Sequence, residues 1–196
     1  MKCSSEIYDV NNKNQFIHIT NYSVQKHSTN FEKYEFGNEV SFLDFQKFLD
    51  MENVKIDVQK DIMFKLKKII EITVFSANRK LNKKNAKHCF EILGYDFIID
   101  CNYDVWLLEV NDNPGLCESS PLIKVLIPRM LDDAFRLTLD KVFQTKYADG
   151  VLVGDVYKSP FPVEGYSDEE SMLEFICNVN VEDDDYCRNL KTMNMN

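Results

Sequence analysis

The chain has 196 residues, of which 44% are hydrophobic and 12% aromatic, and it carries a formal net charge of −9. That length and apolar content fit one domain of ordinary size with a sizeable core, and they exclude a wholly disordered chain. No apolar run reaches the roughly eighteen residues that a membrane helix needs, and Met1-Lys2-Cys3-Ser4-Ser5-Glu6 contains no signal-peptide core. A soluble, intracellular protein with no membrane contact is expected.

Cys3, Cys89, Cys101, Cys117, Cys177 and Cys187 are scattered without a CxxC pair, which points to reduced thiols rather than a zinc site or a disulfide framework. The charge is uneven. Residues 55–88 hold ten Lys and Arg against three acids, whereas residues 149–185 hold eleven acids and one Lys. The basic stretch either meets an acidic partner or is the solvated face of an amphipathic helix. Aromatic residues do not interleave with it in a nucleic-acid motif, so no nucleic acid is expected.

In chain order, Phe16-Ile17-His18-Ile19-Thr20-Asn21-Tyr22 alternates like a strand and is followed by a polar loop through Gly37. Ser41, with Asp44 three residues on, forms a capping signal for a short helix from Phe42. Residues 57–75 place Ile62, Leu66, Ile69, Ile70 and Val74 on one stripe of a longer helix, and residues 78–87 read as a basic loop. Two strands at 94–100 and 105–111, joined by a turn at 101–104, form a hairpin. After the turn-forming Asn111-Asp112-Asn113-Pro114-Gly115, a helix covers residues 122–143, with Pro128 either kinking it or starting a second helix. Beyond residue 144 only the apolar patches 151–153 and 172–176 interrupt an acidic extension, expected to be partly disordered.

The hairpin holds the most informative chemistry. If Asp100 pairs with Val105, or Cys101 with Asp104 in a tighter turn, Asp96 comes to lie directly opposite Glu109. Like charges so placed destabilise a hairpin by up to roughly 1 kcal/mol, and a bound divalent cation would account for them. Strand alternation puts Glu109 and Asn111 on one face, with Trp106, Leu108 and Val110 on the other. Asp96, Glu109 and Asn111 would then offer magnesium a hard oxygen set, the alternative being a wet sheet edge. Alternation also puts His18 and Thr20 on one face of the first strand, where they could contact a phosphate or a carboxylate, or simply be a satisfied strand residue and its neighbour. The sequence has no Walker or Rossmann glycine loop and no GxSxG elbow.

His18-Ile19-Thr20-Asn21-Tyr22-Ser23-Val24-Gln25-Lys26, then Cys89-Phe90-Glu91-Ile92-Leu93-Gly94-Tyr95-Asp96-Phe97, then Trp106-Leu107-Leu108-Glu109-Val110-Asn111, resembles in motif and order the tubulin-tyrosine ligase-like family of ATP-grasp ligases. Those enzymes attach tyrosine, glutamate or glycine to tubulin or other proteins. The resemblance implies an α+β fold, the C-terminal portion of an ATP-grasp fold with an antiparallel sheet packed with helices, over residues 1–143, followed by an acidic extension over 144–196. It also implies ATP and Mg2+ as cofactors, tubulin or microtubules and a free amino acid as partners, and a location in the cytoplasm, the cytoskeleton or a cilium.

Carried over by position, the resemblance makes Asp96, Glu109 and Asn111 the magnesium ligands, with Glu109 also catalytic. His18, Ile19, Thr20 and Asn21 match a strand lining the ATP phosphates and the incoming amino acid, and Leu108 an apolar contact to the base. Lys2 stands where the family usually has a catalytic Arg, retaining the charge without the bidentate fork. The family's N-terminal domain and its ATP-gripping lysines have no counterpart in the chain. Two expectations follow: a ligase that modifies a protein carboxylate through an acyl phosphate, or an inactive truncated remnant that binds microtubules or a partner. A small-molecule ATP-grasp ligase is a third, against which the string from His18 to Lys26 argues.

Overall fold

The computed structural model describes residues 1–81, 89–118, 120–143 and 158–178. Within them the chain is α+β, with five α-helices, a 3-10 turn (Phe36–Asn38), a π turn (Val58–Ile62) and one two-stranded antiparallel sheet. It divides into two units. The first comprises Met1–Lys55 and Gly115–Leu173, the second Ile56–Pro114 and Glu174–Asn196.

In the first unit, residues 16–22 are not a strand. They fall into two single-turn helices, α1 (Gln15–His18) and α2 (Tyr22–Gln25), with Ile19 and Thr20 linking them. Local side-chain bonds override the β-branched alternation. The Asn14 carboxamide accepts the Phe16 N–H at 3.1 Å and Asn21 accepts the Ser23 N–H at 2.9 Å, and each starts a turn of helix. Gln25, fully buried, then holds the turns together: its Nε2 donates to the carbonyls of Phe16 (3.1 Å) and Ile19, and its Oε1 accepts the Ser5 N–H at 2.8 Å. Buried Asn38 closes this polar core by donating to the Ser5 hydroxyl at 2.7 Å and accepting the Glu32 N–H at 2.8 Å.

Helix α3 (Phe42–Met51) starts at the expected cap, with Ser41 Oγ accepting the Asp44 N–H at 3.0 Å and donating to the Asp44 carboxylate at 2.7 Å. It buries Leu49. Helix α5 (Pro121–Val142) is capped by Ser120 and runs through Pro128 as a single element, with no second helix starting there. A helix tolerates the lost N–H when packing along its length holds it, and here α5 buries Arg129 and Asp133 completely.

Arg129 Nε donates to Asp133 at 3.1 Å, and the rest of its guanidinium donates to the carbonyls of Phe161 (3.1 Å), Ser167 (2.8 Å) and Glu170 (2.6 Å). Asp133 in turn accepts the Met172 N–H at 2.8 Å. Residues 158–173, which the sequence assigned to an acidic extension, are thus strapped onto α5 by backbone bonds that no charge count reveals. Gly165, at φ 85°, lets the strap approach α3, since a Cβ there would meet Leu43 Cδ1 at 2.4 Å. The remainder of that extension, 144–157 and 179–196 with the patch 151–153, lies outside the described residues.

In the second unit, Asp57 caps a π turn (Val58–Ile62) that leads into α4 (Met63–Leu81), so helix extends past Phe75 into the stretch expected to be loop. Residues 82–88 lie outside the described set. On the basic face, Lys60 pairs with Asp57 (2.8 Å), Lys65 with Asp104 (2.7 Å), Lys68 with Glu71 (2.8 Å) and Lys67 with Glu174. These four pairs, each with an exposed partner, are what a solvated helix face carries, and Lys83, Lys84 and Lys87 of the basic stretch lie outside the described residues. Among the described residues of this unit Val58, Ile62 and Val105 are the buried apolar ones, and the Thr73 and Tyr95 hydroxyls bond at 2.9 Å where α4 meets the sheet. Among the described residues no helix is long and apolar enough to cross a membrane.

Candidate functional site

The hairpin consists of β1 (Gly94–Ile99) and β2 (Val105–Asn111). Its turn is one residue longer than expected, because Asp100 belongs to it and Ile99 pairs with Val105. Asp100 Oδ1 accepts the N–H groups of Asn102 (2.8 Å) and Asp104 (3.0 Å), and Oδ2 accepts the Trp106 indole N–H at 2.9 Å. The indole bond above all, then the Asp104 and Asn102 N–H groups, holds the Asp100 carboxyl below the usual carboxylate value.

From Ile99 and Val105 a regular ladder would set Asp96 against Leu108. It does not, because the register shifts at Asp96/Phe97: Phe97 pairs with Leu107 and Asp96 with Glu109, leaving Leu108 as an extra residue in β2. The expected pairing of Asp96 with Glu109 is present, reached through a bulge rather than through the turn.

The bulge also re-sorts the faces. Directly opposed residues share a face, so Gly94, Asp96 and Ile98 stand with Asn111, Glu109 and Trp106, while Tyr95, Phe97 and Ile99 stand with Val110, Leu107 and Val105. Trp106 is therefore on the carboxylate face, contrary to plain alternation, while Val110 is on the opposite one, as alternation has it. The carboxylate face is the open one. Trp106 is 59% exposed and Leu108 62%, and together they form an apolar ledge beside the two acids.

Asn111 joins the acids by donating from its amide to Glu109 Oε1 at 3.1 Å. Among the described residues neither Asp96 nor Glu109 forms an ion pair, so two opposed carboxylates stand without a cationic side chain. No three His, Cys, Asp or Glu side chains gather as a metal cage among those residues. The donor set is instead two carboxylates and a carboxamide, oxygen donors of the kind that suits magnesium completed by water and phosphate.

The remaining candidates belong to the first unit. Lys2, exposed, is bridged antiparallel to Glu39 through the backbone. His18, Ile19, Thr20 and Asn21 are all exposed, but without a strand His18 and Thr20 have no shared strand face. The His18 ring lies edge-on to Tyr8, with centroids 5.7 Å apart, and its Nε2 meets the Asn12 carbonyl. A carbonyl requires Nε2 to be the N–H, so the ring's other nitrogen can donate to an anion only in the imidazolium form. Asn21 is occupied as the cap of α2, receiving the Ser23 hydroxyl at 2.8 Å as well as its N–H.

Residues 1–147 match the tubulin-tyrosine ligase family. The chain belongs to that family. It is 34% identical over 146 residues to tubulin glycylase 3F of Tetrahymena thermophila, covering 74% of this chain and 15% of that protein. It is 31% identical over 140 residues to tubulin glycylase 3B of the same organism (70% and 12%), and 32% identical over 137 residues to human tubulin polyglutamylase TTLL5 (64% and 10%). This tubulin-tyrosine ligase family chain thus spans well under a third of the length of these relatives.

Sequence reasoning about this family member missed Gln25 and Asp100. Asp100 had a signal, because an acid opening Asp-Cys-Asn-Tyr-Asp can bond backbone two residues on. Gln25 had none, since its partners come from residues 5, 16, 19 and 38, brought together only by folding.

Proposed function

We propose that the chain carries the metal side of an ATP- and Mg2+-dependent ligase that attaches an amino acid to a carboxylate of a protein, tubulin first among acceptors. The supporting observation is the open carboxylate face, where Asp96 opposes Glu109 beside Asn111 with no cationic side chain from the described residues, in a chain of the tubulin-tyrosine ligase family. Relatives named as glycylases and polyglutamylases favour glycine or glutamate over tyrosine as the amino acid. They also favour a cytoplasmic, cytoskeletal or ciliary location, where tubulin is found.

Asp96 and Glu109 would hold the metal through carboxylate oxygens and Asn111 through its amide oxygen. Magnesium, when bound, neutralises phosphate charge and aligns the transferring group. Leu108 and Trp106, exposed beside the acids, offer apolar surface to a base. In the first unit, Lys2 supplies a positive charge for a carboxylate, and His18 with Thr20 supplies donors for phosphate or amino acid, His18 only as imidazolium. The reaction class is transfer of phosphate from ATP to the acceptor carboxylate, then attack on that acyl carbon by the amine of the incoming amino acid, releasing phosphate.

Incorporation of labelled glycine or glutamate into microtubules, with and without ATP, tests this reading, with Glu109→Gln as the paired control. ATP-dependent labelling that Glu109→Gln abolishes is the expected outcome. Equal labelling by both proteins would sink the assignment.

A further inference from the structure

Gly94 begins β1 opposite Asn111, and its backbone is not in the left-handed region: among the described glycines only Gly37 and Gly165 have positive φ. Conformation therefore does not demand glycine at 94. Space does. A Cβ at Gly94 would stand 2.9 Å from Pro114 Cβ and 3.8 Å from Asn111 Cβ. The first distance is shorter than real Cβ contacts and the second is ordinary contact. Pro114 Cβ is part of a ring locked to the backbone, so it cannot rotate aside as a flexible side chain would. After Asn111 the chain bends at Asp112 and Asn113 and lays Pro114 into the space that the missing side chain leaves.

From this packing we infer that Gly94 and Pro114 form a positioning pair: their contact folds the segment after β2 back onto β1 and so fixes Asn111, opposite Gly94, next to the Asp96–Glu109 pair. The inference deepens the proposed metal site and rests on it. Asn111 is the last residue of β2, where a strand end would otherwise fray, and its side chain is tied to Glu109 by one exposed hydrogen bond of 3.1 Å. A single exposed bond of that kind stabilises too little to hold a ligand in one orientation. The Gly94–Pro114 contact adds steric confinement, which is what outer residues supply to metal ligands generally.

The experiment uses the full chain in four forms: wild type, Gly94→Ala, the double variant Gly94→Ala/Pro114→Gly, and Glu109→Gln. Removing the Pro114 Cβ leaves the methyl group introduced at position 94 with ordinary contacts, to the Cα of residue 114 at 3.7 Å and to Asn111 Cβ at 3.8 Å. Two readouts are taken: the Asn111 side-chain amide resonance, assigned through its loss in Asn111→Asp, and Mn2+ affinity by electron paramagnetic resonance. In Gly94→Ala the resonance should move and Mn2+ affinity should fall about tenfold, and both should return in the double variant. An Asn111 resonance unmoved by Gly94→Ala, or not restored in the double variant, overturns the positioning pair. A resonance that moves and returns while Mn2+ affinity is the same in all four forms leaves the contact in place and overturns the metal reading, together with the pair's role in it.

Discussion

Asp96 stands directly opposite Glu109 because Leu108 is an extra residue in β2, not because the turn brings them level. The bulge costs one regular rung of a short ladder and gains a face carrying two carboxylates, an amide and an apolar ledge. Bulges commonly re-aim side chains beside active sites, and this one moves Glu109 to the face of Asp96 and Trp106.

Glu109→Gln should act in opposite directions on stability and on binding. Without metal the substitution removes a like charge from a directly opposed pair, so the midpoint of thermal unfolding in EDTA should rise slightly, by the equivalent of a few tenths of a kcal/mol. Manganese affinity should fall. A lower midpoint in EDTA would mean that the two carboxylates do not repel and that their juxtaposition needs no cation.

Asp100 makes the hairpin pH-dependent. Its carboxyl is held below its ordinary value of 3.8, chiefly by the Trp106 indole N–H, so the folded state favours the charged form. A group depressed in this way contributes stability that is fully present above about 3.8 and is lost as pH falls through the lower folded value. Asp100→Asn should therefore destabilise at pH 7 and shift the Trp106 fluorescence. The difference from wild type should vanish under acid conditions where Asp100 is protonated. A difference that persists unchanged into that range would show that the carboxylate charge is not what the turn uses.

Arg129 and Asp133 are both fully buried, so breaking the pair should cost far more than losing any surface ion pair of α4. Asp133→Ala takes one carboxylate from the buried guanidinium, leaving Asp168 at 3.4 Å as an acidic partner, and frees the Met172 N–H, at a cost of about 3 kcal/mol, the low end for a broken buried pair. Urea denaturation measures this, and limited proteolysis within 158–173 should quicken in the same variant. A cost below about 1 kcal/mol, as for exposed pairs, would contradict the burial.

Gln25→Ala should loosen the segment from Phe16 to Asn21 without touching any proposed metal ligand. It takes the partner from the buried Ser5 N–H and from the Ile19 carbonyl, while the Phe16 carbonyl keeps the Ser4 hydroxyl at 2.7 Å, and the Ser5 N–H alone is worth about 1–3 kcal/mol. Hydrogen exchange at residues 16–22 should accelerate. Protection equal to wild type there would mean that the two caps, Asn14 and Asn21, hold the turns unaided.

The elements legible in the sequence are those governed by local chemistry. Ser41 and Asp44 announced α3, the apolar stripe announced α4, and two β-rich runs around a polar turn announced the hairpin and its opposed acids. Family membership was also readable, because several short strings in a fixed order are far more specific than any one of them. Tertiary structure alone decided the rest. Residues 16–22 have strand-like alternation but became two capped turns, because their carbonyls find the side chain of Gln25, not a neighbouring strand. The bulge at Leu108 was invisible because Val105 to Leu108 is an unbroken apolar run with no alternation for an extra residue to interrupt, and only pairing across the sheet counts residues on both strands. Residues 158–173 looked like an acidic extension because their anchors are backbone carbonyls and N–H groups, which every sequence possesses, placed by the fold against a buried arginine.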